Sequence, residues 1–162
     1  MRTRCYLIVA ALLAFTAAKV VMAQAVIHSP SMTGDIAIEV PWARATPGGA
    51  TTGAAYLKIV NRGKDADKLV EVSSPSSAKV EAHETFSVNG TSSMRRIDAM
   101  TLPPGKAIDF QPGGAHLMLV GLKAPLKPGD DLSVTFRFER SGSIEIKVPV
   151  GRVGATGPET KP

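Results

Sequence analysis

The chain has 162 residues, 20% charged and 44% apolar, with a formal net charge of +5. That length suits one domain, and a single cysteine, Cys5, excludes a disulfide framework. No basic run interleaved with aromatics appears, so the charge gives no support to nucleic-acid binding.

Arg2 and Arg4 precede the apolar run YLIVAALLAFTAA, and the small-residue stretch Ala23-Gln24-Ala25 follows it. That order predicts a secretory signal peptide over 1–25, too short to anchor in a membrane. Cys5 lies ahead of the apolar run, where it cannot take a lipid. Cleavage after Ala25 leaves 137 residues without cysteine, with 16 basic and 14 acidic side chains and a net charge of +2. The expected location is the periplasm, and the expected mature chain does not span a membrane.

Residues 26–35 read as a polar lead-in and 151–162, rich in Gly, Pro and Thr, as a disordered tail. Between them, from 36 to 150, short apolar or alternating runs recur at 36–44, 54–61, 67–73, 79–87, 92–98, 106–110, 115–122, 131–139 and 143–150. Turn signals separate them: TPGG, NRGKD, SSPSS, VNGT, LPPGK, QPGG, LKPGDD and RSGS. No helical periodicity follows the signal segment. The expectation is all-β, a Greek-key β-sandwich or small barrel.

Most chemical motifs are excluded. The Gly48–Gly53 run GGATTG lacks the Lys-Ser/Thr ending of a phosphate loop. Asp65, Asp67, Asp130 and Asp131 sit in turns, where aspartate caps its own backbone. No nucleophile elbow is present, and a mature chain without cysteine has no thiol nucleophile.

What stands out is His116 beside Met118 in the strand-like GGAHLMLVGL. Strand alternation puts both on one face, about 7 Å apart, with Leu117 and Leu119 on the other. Asn89-Gly90 predicts a two-residue hairpin pairing Val88 with Thr91, hence Thr85 with Met94 and His83 with Arg96. His83 and Met94 are then diagonal neighbours, with Glu81, His83 and Thr85 on a polar side and Val80, Ala82 and Phe86 on an apolar one. Taken singly, each methionine suits a core and each histidine a surface. Taken together, two imidazoles and two thioethers suit Cu(I); the methionines argue against zinc, and a blue-copper centre needs a cysteine.

The spacing His83-x10-Met94-x21-His116-x-Met118 resembles the signature of the PCu(A)C family of periplasmic copper chaperones. The stretches PWARATPGGATTGAAYLKIVNRG, PGGAHLMLVGLKAPLKPGDDLSVTFRF and IEIKVPV are also similar to that family. The resemblance implies a cupredoxin-like sandwich and one accessible Cu(I) on His83, Met94, His116 and Met118. It further implies delivery toward the binuclear copper centre of cytochrome c oxidase, with its copper-accepting subunit or a Sco-type thiol protein as partner.

A second copper site is conceivable at the new N-terminus. Cleavage after Ala25 makes His28 third, and a free amine with histidine third suits the tetragonal nitrogen set of Cu(II). Cleavage after Ala23 makes it fifth; Met32 offers a weak Cu(I) pair with His28, and a plain polar lead-in is the simpler alternative. Arg95 and Arg96 suit either docking on an acidic partner or a solvated hairpin face. Function therefore stands between a copper chaperone, a copper buffering or tolerance protein, and a non-metal extracytoplasmic interaction domain. An enzyme is not expected.

Overall fold

A computed structural model describes residues 30–159, so the signal-like segment and His28 lie outside the described residues. Every regular element among them is a strand: β1 (Ser31–Thr33), β2 (Ile36–Arg44), β3 (Thr52–Asn61), β4 (Asp67–Ser73), β5 (Ser77–Val88), β6 (Thr91–Arg96), β7 (Met100–Leu102), β8 (Ala107–Phe110), β9 (Ala115–Leu122), β10 (Asp131–Phe138) and β11 (Gly142–Gly151). Among the described residues, no helix is long and apolar enough to cross a membrane. The sequence expectation misses only β1 and β7. Each has three residues, too few to show alternation.

One sheet runs β6-β5-β9-β8-β3-β2, with β1 added on β2; the other runs β11-β10-β4-β7. They join where β11 meets β2 in parallel, Val150 beside Ala43 and Gly151 beside Arg44. β2 reaches both sheets because it is broken in the middle. Val40 takes a φ of 49° ahead of Pro41, and the register against β3 shifts between Glu39 and Trp42. A bulge of this kind re-aims the strand.

The core lies between the sheets and follows strand alternation. On β10, Leu132, Val134, Phe136 and Phe138 are buried, and on β9 Leu117 and Leu119 are at 0% exposure. They pack with Ile36, Ile38, Leu57, Ile59, Phe110 and Val148 in one cluster. Each such side chain contributes about 1.5–3 kcal/mol on burial. The alternate residues of β9, His116 and Met118, are thereby turned outward.

β8 and β9 lie end to end along β3. Leu57–Val60 pair with β8, and Thr52–Ala55 pair with β9. The QPGG turn between them closes through Gly114 N–H to the Gln111 carbonyl (3.0 Å), with Gly113 at a φ of 82°. The turn ends at Ala115, so His116 opens the outward face of β9.

The tail differs from expectation. Residues 152–159 fold back on the protein: Ala155, 8% exposed, packs against Trp42 and Tyr56, and Arg44 Nε donates to its carbonyl (2.9 Å). Small residues suited this segment to lie flat on an aromatic pair, a role that composition does not reveal.

Candidate metal centre

The hairpin β5–β6 forms in the expected register. Val88 faces Thr91, Thr85 faces Met94 and His83 faces Arg96. Asn89 and Gly90 have φ of 51° and 79°, the left-handed pair that a two-residue turn requires. The pairing of β5 with β9 was not legible in the sequence. It sets His83 directly opposite His116, and Glu81 opposite Met118.

The four residues therefore share the outer face of β6-β5-β9 as a diagonal row. The two histidines are its centre, with ring centroids 6.0 Å apart and planes at 37°. Met118 lies two pairs along on the β9 side, opposite Glu81, and Met94 two pairs along the other way on β6, opposite Thr85. His83, His116 and Met118 are half-buried, whereas Met94 is 57% exposed. Two imidazoles and two thioethers, all neutral, form a soft set suited to a monovalent soft cation. Among the described residues, no group of three or more His, Cys, Asp or Glu side chains is placed to hold a metal. A carboxylate- or thiolate-based centre has no counterpart there.

Glu81 is the neighbour that the donor count missed. Its Oε2 lies 3.0 Å from His83 Nε2, and its Oε1 accepts from Lys79 Nζ (2.7 Å) and Arg96 Nη1 (3.4 Å). Lys79 on one side and the His83 ring on the other hold the carboxyl down to about 2. Alternation had placed Glu81 on the polar side with His83; only its contact with the ring needed the structure. His116 Nδ1 lies 3.2 Å from the Gly114 carbonyl.

The arginines of the hairpin are occupied. Arg95 donates twice to Glu84 Oε2 (3.0 and 2.7 Å) and lies over the Phe86 ring, while Arg96 pairs with Asp98 and Glu81. Both arginines thus reach across the hairpin to carboxylates of β5, and Arg96 also meets Asp98 just past β6.

The LpqE-like lipoprotein family model matches residues 36–150, from the start of β2 into β11. This chain belongs to that family, the PCu(A)C proteins. A curated relative, the lipoprotein Lxx21020 of Leifsonia xyli subsp. xyli, is 33% identical over 125 residues, 76% of this chain and 74% of that protein. The copper-bound PCuAC domain from PmoF2 is 30% identical with a TM-score of 0.66, covering 77% of this chain and 99% of that one. The Cu(I) form of DR1885 from Deinococcus radiodurans is 25% identical with a TM-score of 0.57, covering 70% and 76%. The sandwich is thus the cupredoxin-like fold of PCu(A)C domains.

Proposed function

We infer that the protein is an extracytoplasmic copper carrier, holding one Cu(I) on His83, Met94, His116 and Met118. The observation that carries this reading is the direct pairing of His83 with His116, flanked on the same outer face by the two methionines. Copper in two structurally similar PCu(A)C proteins supports it. Neutral ligands match a monovalent soft ion, and the absence of thiolate spares the site from the thiol oxidation that threatens a free cysteine outside the cytoplasm.

Carriage rather than catalysis follows from the shape of the site. It lies on an open sheet face, and Met94 is exposed enough to be replaced first by an incoming donor. Stepwise replacement lets an acceptor take the ion without its ever being free. The destination implied by the family is the binuclear copper centre of cytochrome c oxidase, through its copper-accepting subunit or a Sco-type thiol protein. The lipoprotein description of the family and the signal-like start of this chain support the periplasm.

The test is an anaerobic Cu(I) competition titration against a chromophoric chelator, on the mature chain and on Met118→Ala. One tight equivalent is expected in the parent, weakened at least 10-fold in the variant, more than a lost outer partner costs at its mildest. Equal affinity of parent and variant would remove the four-ligand site. Faster transfer to an apo acceptor than to a small chelator then separates delivery from buffering.

A further inference from the structure

We propose that Glu81 selects which nitrogen of His83 binds copper: it claims Nε2 and leaves Nδ1 as the ligand, while the Gly114 carbonyl claims Nδ1 of His116 and leaves Nε2. This deepens the reading above and rests on it. A neutral imidazole carries its proton on one nitrogen and a lone pair on the other, and only the lone pair can take a metal. An ionised carboxylate and a backbone carbonyl are acceptors only. The nitrogen facing each must therefore be the N–H.

At His83 that nitrogen is Nε2, 3.0 Å from Glu81 Oε2. At His116 it is Nδ1, 3.2 Å from the Gly114 oxygen. Glu81 is not free to turn away. Lys79 Nζ (2.7 Å) and Arg96 Nη1 (3.4 Å) both hold Oε1, which keeps Oε2 aimed at the ring. The arrangement spans three strands, because Arg96 comes from β6, Glu81 and His83 from β5, and His116 from β9. Metal-bound histidines commonly donate their second N–H to a carboxylate or carbonyl, which orients the ring and raises its basicity. Here each ring has one such acceptor, on opposite nitrogens.

The asymmetry has a geometric consequence. Nδ1 is adjacent to the ring carbon that joins the chain, and Nε2 is one atom farther out. The two rings would therefore offer the ion different nitrogens, Nδ1 from His83 and Nε2 from His116. Glu81 is thus a positioning residue, acting on the ion only through His83.

The experiment is long-range proton–nitrogen correlation NMR on the uniformly nitrogen-15-labelled mature chain, copper-free and with one equivalent of Cu(I), well above the ordinary imidazole pKa. In the copper-free chain His83 is expected as the Nε2–H tautomer and His116 as Nδ1–H. On adding Cu(I), the nitrogens that shift should be Nδ1 of His83 and Nε2 of His116. Glu81→Ala should give His83 a mixture of tautomers and bind Cu(I) about 10- to 100-fold more weakly. Glu81→Gln, whose amide oxygen still accepts, should keep Nε2–H and lose less. Cu(I) bound by the parent with His83 protonated at Nδ1 overturns the role of Glu81 alone. So does a folded Glu81→Ala chain with the parent's tautomer and affinity. Failure of the parent to bind Cu(I) overturns the four-ligand site and this assignment with it.

Discussion

Asp67 is 6% exposed, and three backbone N–H groups point at it: Lys68 (2.7 Å) and Arg140 (2.9 Å) at Oδ1, and Ser141 (3.0 Å) at Oδ2. Burial pushes its carboxyl up, but the hydrogen bonds from Ser141, Arg140 and Lys68 outweigh that and leave it below its ordinary value. In the sequence Asp67 reads as a turn residue capping its own backbone. It does so for Lys68, yet the two other donors come from the β10–β11 turn, more than 70 residues away. Asp67→Ala strands those donors, and urea denaturation at neutral pH should show a loss of about 2–3 kcal/mol. Because the folded value is lowered, this stabilisation is present above the ordinary value of 3.8 and is lost as pH falls through the lowered one. The gap between parent and variant should therefore narrow in acid; a gap that stays constant would show that the carboxylate charge is not what holds the turn.

The β5–β6 hairpin is the element on which the candidate site depends most. Pairing with β9 ends at Glu84 and Ala115, so the tip of the hairpin projects past its neighbour and pairs only within itself. Val80 and Ala82 pack against the core as alternation predicts, but Phe86 and Val88 lie beyond it at 37% and 52% exposure. Period two decides which side chains can meet the histidines: Met94 shares their face, and Ser93, opposite Phe86, does not. Exchanging the two residues, Met94→Ser with Ser93→Met, keeps composition and charge while moving the thioether to the wrong face. Its Cu(I) affinity should match that of Met94→Ser alone, at least 10-fold below the parent. Retention of the parent's affinity would mean that the hairpin can shift its register, or that Met94 is not a ligand.

Across the whole protein, the outer face carries a second feature beside the candidate site. Ala54, which faces Met118 across β3–β9, belongs to the cluster of Trp42, Tyr56 and Ala155. Trp42 and Tyr56 stack at 4.5 Å, and Arg44 lies over the Tyr56 ring at 5.5 Å. Arg152 grips Glu159 through both its backbone and its guanidinium, which closes the tail over this pair. Removing residues 152–162 should uncover Trp42, the only tryptophan, and red-shift its fluorescence. The loss of apolar burial should cost about 1–2 kcal/mol and lower the Tm by roughly 5 °C. Unchanged emission would show that the tail does not cover the ring in solution.

Nine of the eleven strands were legible from alternation and turn residues, because period two and the left-handed needs of Asn89-Gly90 are local properties. The all-β class, the outward face of His83 and the diagonal neighbourhood of Met94 follow from the same local rules. The pairing of β5 with β9 does not, since nothing near His83 in the chain points to a partner 33 residues on. Only the packed sandwich sets the two imidazoles opposite each other, turns Glu81 onto one of them and lays the tail over Trp42. Such contacts depend on which strands become neighbours, and that is settled by closing one core over all of them.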